Sequence, residues 1–144
     1  MLFRSLEPPK VGKPFPVLQP QVDIDGNELA GVRLPDIVVP LATYTGWNLR
    51  APETGAPTEV AGLNGSYIPF PRTRAERERT GDLRLSIEER YKSRAEYLGL
   101  YAEAALQLIK EGYLLGEDLP GIMEEARAHW DWATSPSRDS QSKN

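Results

Sequence analysis

Hydrophobic positions recur every three to four residues in the second part of the chain. Tyr97, Leu98, Tyr101, Ala105, Leu108 and Ile109 form one apolar stripe at helical spacing, while Glu96, Glu103, Gln107, Lys110 and Glu111 fall on the opposite side. Gly112 and Gly116 punctuate its end. A second stripe, Leu119, Ile122, Met123, Ala126, Trp130 and Ala133, predicts a last helix. Asp118 is placed to cap it, with Pro120 tolerated in its first turn. Two serine-led segments, Ser86-Ile87-Glu88-Glu89 and Ser93-Arg94-Ala95-Glu96, fit the capping box. There a serine oxygen accepts from an amide three residues on and the glutamate reaches back. Stripes this close in sequence predict an antiparallel helix pair.

The first part has a shorter period and many prolines. Eleven of the 13 prolines lie between Pro8 and Pro71. Each fixes φ and removes a donor, which argues against long helices there. Residues 17–22 and 28–34 flank Asp23-Ile24-Asp25-Gly26-Asn27, whose Asp-Gly and Gly-Asn steps supply the positive φ of a hairpin turn. A β-hairpin is therefore predicted, with Pro20 marking an edge or a bulge. Residues 37–44 form a third extended segment around Pro40. Residues 45–71 are rich in Gly, Pro, Asn and Thr and too long for an ordinary connection, so they are expected to be poorly held alone and to drape over a neighbouring surface.

The organisation expected is an irregular lead-in over residues 1–16, a β-hairpin and Pro/Gly-rich loop region over 17–71, a helical region over 72–133 and a disordered tail over 134–144. The fold class is α+β: a small antiparallel β-hairpin unit and long irregular loops, followed by two or three C-terminal helices.

Composition narrows the chemistry. The chain has 144 residues, a formal charge of -4 and no cysteine. A mildly acidic chain without a concentrated basic face repels phosphate backbones, so nucleic acid is not an expected partner. Without cysteine, disulfides, thiolate zinc sites and cysteine nucleophiles are excluded from this chain. The first ten residues lack the apolar stretch of a secretory signal, and no apolar run approaches the roughly 20 residues of a membrane span. A cytoplasmic location as written, away from membranes, is the expectation.

Candidate chemistry is sparse. His129 is the single histidine, and Ser66, Asp118 and His129 occur in the chain order of an α/β-hydrolase triad. Ser66 nevertheless sits in Asn64-Gly65-Ser66-Tyr67-Ile68 and lacks the Gly-x-Ser-x-Gly elbow. His129 is predicted inside a helix, as a boundary histidine packing beside Trp130. Asp23, Asp25 and Asn27 resemble a calcium loop, but the glycine and glutamate of that pattern fall elsewhere, so a turn is preferred. Arg72, Arg74, Arg77 and Arg79 interleave with Glu76 and Glu78, the signature of an ion-paired, solvated segment. Catalytic, cofactor-binding and metal-ligating residues are thus expected to be absent, and no cofactor is implied. The unusual stretch is Thr43-Tyr44-Thr45-Gly46-Trp47-Asn48, with aromatics and hydrogen-bonding side chains around a glycine. Tyr44, Thr45, Trp47 and Asn48 are the candidate pocket-lining or docking loop.

Several stretches resemble a large bacterial family of α/β-hydrolase-domain proteins in the region downstream of the catalytic core. They are Pro-Phe-Pro-Val-Leu-Gln-Pro-Gln-Val from Pro14, Ala-Gly-Val-Arg-Leu-Pro from Ala30, and Val-Pro-Leu-Ala-Thr-Tyr-Thr-Gly-Trp-Asn-Leu-Arg from Val39. Gly-Ser-Tyr-Ile-Pro-Phe from Gly65 and Ser-Ile-Glu-Glu-Arg-Tyr from Ser86 continue the match. The resemblance implies that nucleophile, acid and catalytic histidine lie upstream, and that no residue here takes those roles. A non-catalytic accessory region supporting a hydrolase core and its pocket is then expected. The alternative is an independent protein-interaction module. Expected partners are a hydrolase core, another protein surface or a second copy.

Overall fold

The computed structural model describes residues 12–13, 18, 20–55, 57–61 and 65–136. Most of the lead-in and the tail from residue 137 onward lie outside the described residues. The elements run α1 (Pro35–Val38), β1 (Ala42–Thr45), β2 (Asn48–Leu49), β3 (Val60–Ala61), β4 (Ser66–Pro69), α2 (Arg74–Thr80), α3 (Ile87–Arg90), α4 (Arg94–Glu111) and α5 (Leu119–Thr134). The fold is α+β: two small antiparallel two-stranded sheets and several C-terminal helices.

The helical half forms for the local reasons its sequence states. Ser86 and Glu89 make a complete capping box on α3. At α4, Ser93 Oγ accepts from Glu96 N at 3.2 Å, but the Glu96 carboxylate takes the amide of Lys92 rather than that of Ser93. Thr73 and Glu76 repeat this arrangement at α2, where Glu76 accepts from Arg72 N at 2.9 Å. Asp118 does not cap α5. A 3-10 turn over Gly116–Asp118 runs straight into the helix, so Asp118 already has helical backbone angles and its carboxylate makes no cap bond. A side-chain cap needs an extended residue at that position.

Helix α4 packs against α5 on one side and α1 on another. Tyr97, Tyr101, Ala105 and Leu108 of the first predicted stripe are buried, as are Ala126 and Ala133 of the second. The core adds Val39, Leu41 and Phe70 from the first half, Ile87 from α3 and Tyr91 just after it. Its centre is aromatic. The Tyr97 ring lies 5.0 Å from Trp130 and 5.3 Å from Tyr91, in tilted and edge-on contacts.

Among the described residues the expected hairpin over residues 17–34 reduces to a tight turn with one bridge, between Val22 and Glu28. Asp23 N donates to Asn27 O at 2.8 Å and Leu29 N to Gln21 O at 3.0 Å. Asp23 Oδ1 accepts from the amides of Asp25 and Asn27, both at 3.0 Å, which braces the turn. Its Oδ2 holds Arg33 at 2.6 Å. The extended segment expected over residues 37–44 is likewise split. Pro35 starts the one-turn helix α1, and only Ala42–Thr45 is a strand.

That strand pairs over a long range instead. β1 joins β4 with Ala42 opposite Pro69, Thr43 opposite Ile68, Tyr44 opposite Tyr67 and Thr45 opposite Ser66. Among the described residues β2 pairs only with β3. The segment expected to drape loosely therefore divides in two. Its second part is built into the fold, with Phe70 fully buried. Its first part is a small outlying ribbon.

Candidate functional site

The β1–β4 ribbon carries different chemistry on its two sides. One side is a closed polar knot. Asn27 has no exposed surface; its Nδ2 donates to Ala42 O at 3.2 Å and its Oδ1 accepts from Tyr44 N at 2.7 Å. The preceding Gly26 has φ +81, and a Cβ there would lie 3.0 Å from Thr43 Cγ2. Only glycine meets both demands. Thr43 Oγ1 donates to Asp25 O and accepts from Arg84 Nη1. Arg84 also holds Asp82 at 2.6 Å and donates to Ile68 O at 3.0 Å. Arg90 grips both oxygens of Asp25 and lies over the Phe70 ring at 4.1 Å. Asp23 and Asp25, the residues that suggested a calcium loop, are thus both engaged with arginines. Among the described residues no group of three His, Cys, Asp or Glu side chains is placed to hold a metal ion.

The other side gathers the titratable groups. Tyr44 and Tyr67 meet edge to face at 5.3 Å. The Tyr67 hydroxyl lies 2.6 Å from His129 Nε2, and its ring 5.6 Å from that of Trp132. His129 Nδ1 faces Asp36 Oδ1 at 3.8 Å, beyond a direct hydrogen bond. Asp36 Oδ2 accepts from the Tyr101 hydroxyl at 2.9 Å. Burial acts to raise the Asp36 carboxyl, but His129 and the Tyr101 hydroxyl outweigh it and hold it below its ordinary value. Burial, and then the charge of Asp36, push the Tyr44 and Tyr101 hydroxyls well above theirs. An ionised Asp36 favours the tautomer with hydrogen on Nδ1, leaving Nε2 to accept from Tyr67.

His129 is therefore a boundary residue, as its position in the stripe implied, but its ring neighbours are Tyr67 and Trp132. Trp130, the neighbour expected from sequence, turns inward to Tyr91 and Tyr97. Ser66 does not join it. Its Oγ donates to Trp47 O at 3.0 Å.

The four loop residues singled out from sequence divide between two places. Tyr44 and Thr45 line a cleft of about 300 Å³ with Glu28, Arg33, Leu34 and Ile37. Trp47 and Asn48 lead into the β2–β3 ribbon, where Asn48 pairs with Ala61 and its Oδ1 accepts from Leu49 N at 2.8 Å. Trp47 is 43% exposed. The turn is held by Gly65, where a Cβ would lie 2.4 Å from Thr45 O. Sequence reasoning did not single out Asp36, Tyr67 or Tyr101. The pairing of Tyr44 with Tyr67 brings them to His129, and that register is not written in any local motif.

The chemistry of this arrangement is that of a polar cluster on an α+β scaffold, without a serine nucleophile elbow. The alpha/beta hydrolase domain family matches residues 4–124, and the chain belongs to that family. No curated protein and no solved structure gave a significant match. Among the described residues no helix is long and apolar enough to cross a membrane.

Proposed function

We propose that this chain is a non-catalytic accessory region of an alpha/beta-hydrolase-domain protein, lying downstream of the catalytic core, supporting that core and shaping its pocket through the loop Tyr44, Thr45, Trp47 and Asn48. The observation that carries the reading is the β2–β3 ribbon beside the Tyr44–Thr45 cleft. Trp47 just before β2, Leu49 on β2 and Val60 on β3 are 43%, 48% and 54% exposed there, and among the described residues the two strands pair only with each other. A large apolar side chain gains about 1.5–3 kcal/mol on full burial, which a docked surface supplies. The family match supports a hydrolase setting, and the missing Gly-x-Ser-x-Gly argues that the nucleophile lies elsewhere.

The test is to mix the chain with the hydrolase core that carries such an elbow in the same protein or its neighbouring frame. Sedimentation should show a stable complex, and amide exchange should slow across residues 47–61 on binding. Absence of binding, or full protection of those residues in a verified monomer, overturns the reading.

A second reading, an interaction module acting without a hydrolase core, draws on a separate patch. Ile24 and Leu83 are 92% and 96% exposed, and Leu85 is 48% exposed. They adjoin in sequence Asp25 and Arg84, which Thr43 joins in the polar knot. Aspartate substituted at Leu83 abolishes partner capture under this second reading and leaves core binding intact under the first.

A further inference from the structure

We propose that Tyr67, His129 and Asp36 form a nucleophile relay in which the Tyr67 phenol takes an acyl group from an activated carboxylic ester. A hydroxyl that takes an acyl group needs a base within hydrogen-bond reach, and a third group that orients the base. The chain places the hydroxyl against the base, and a carboxylate facing the base at charge–charge rather than hydrogen-bond distance, on three separate elements. Tyr67 on β4 lies 2.6 Å from His129 Nε2 on α5, and His129 Nδ1 faces the Asp36 carboxylate of α1 at 3.8 Å. Asp36 is itself fixed by the Tyr101 hydroxyl from α4, so it acts as the positioning residue.

The site is reachable. Tyr67 is 38% exposed and Trp132 beside it 39% exposed, and His129 keeps 20% of its side chain open. Tyr44 and Trp132 flank the Tyr67 ring at 5.3 and 5.6 Å, forming an aromatic wall. That wall suits a small acyl ester with an aryl leaving group.

The step balances without a further reagent. The Tyr67 oxygen attacks the ester carbonyl while its proton passes to His129 Nε2. The bond from the carbonyl carbon to the leaving oxygen breaks, and that oxygen takes the proton from His129. The products are an acyl ester on Tyr67 and the free alcohol or phenol. The relay is separate from docking through the β2–β3 ribbon: it is a single acylation of Tyr67 without turnover, so it leaves the non-catalytic role of the chain standing, and it is tested on the full chain alone.

The probe is p-nitrophenyl acetate, with each acetylated residue identified by peptide mass spectrometry over time. Tyr113 is 64% exposed and serves as the unactivated phenol in the same molecule. Tyr67 should acetylate on the order of 10²-fold faster than Tyr113, the low end for a positioned base. His129→Gln should bring Tyr67 down to the Tyr113 rate. Asp36→Asn should slow Tyr67 while leaving Tyr113 unchanged. Tyr67→Phe should remove the fast site without changing the helical signal. Labelling of Tyr97, which has no exposed surface, reports any variant that unfolds; the wild-type ratio of Tyr67 to Tyr113 then decides alone. Equal rates at Tyr67 and Tyr113, or a Tyr67 rate indifferent to His129→Gln in a folded protein, overturn the proposal.

Discussion

Asn27 shows what a single side chain can fix. Its amide bonds Ala42 O and Tyr44 N, so it sets the entry of β1 from a turn that is not itself part of a sheet. Replacing it with alanine leaves two inward-facing backbone groups without partners. Each costs about 1–3 kcal/mol, so Asn27→Ala should destabilise by about 2–6 kcal/mol in urea unfolding. A loss below about 0.5 kcal/mol would show that solvent reaches this point. Glu89 makes a second prediction, in acid. Hydrogen bonds from Arg77 and then from Ser86 hold its carboxyl at about 2, against an ordinary 4.5. The folded value is the lower one, so the stabilisation is complete above pH 4.5 and disappears as pH falls toward 2. Glu89→Gln should flatten that part of the urea-midpoint profile relative to the wild type. A profile of unchanged slope would mean that Arg77 does not hold Glu89 in solution. Asp36, also held low, contributes loss in the same direction.

Elements differ in how far the sequence announces them. The caps at Ser86 and Ser93 and the stripes of α4 and α5 rest on residues three or four apart, so they are legible. The strands are not. β1 and β4 lie on either side of the outlying ribbon, and their register depends on Gly65 letting the backbone approach Thr45 O. Residues 23–27 looked like a hairpin turn because the Asp25-Gly26 step marks such turns, and Asp23 drew no notice of its own. The Asp23 side chain bonds two amides of that turn and the distant Arg33. Of the candidate loop, Tyr44 and Thr45 were visible as an odd cluster of polar and aromatic residues. Tyr67 looked ordinary until its register placed it against Tyr44 and His129. These contrasts predict an exchange pattern. The amides of Ile68 and Phe70 should be strongly protected in the isolated chain, since alternation along the strand turns them toward β1 and Leu41 O and the segment covers the core. Those of β2 and β3 should exchange quickly, because only a short ladder joins them among the described residues: two residue pairs and the bond from Arg50 N to Glu59 O at 2.9 Å. Equal protection across both strand pairs would show that the ribbon has a partner within the chain itself.

At the scale of the whole molecule, folding and docking use different residues. The core draws on α3, α4, α5 and the segments around Leu41 and Phe70. The ribbon residues Trp47, Leu49 and Val60 take no part in that cluster and are each at least 43% exposed. A substitution away from the core and its polar supports usually changes stability by no more than about 0.5 kcal/mol. Replacing all three with serine should therefore shift the urea midpoint little. Binding to a hydrolase core should weaken far more. Loss of even one well-buried apolar anchor removes about 1.4 kcal/mol or more, a factor of ten in Kd. Sedimentation titrations and urea melts on the same triple variant separate the two quantities. A large stability loss would assign the ribbon to the fold, and unchanged binding would move the docking surface to the Ile24 and Leu83 side. Stable folding with lost binding is the outcome that the separation of ribbon from core requires.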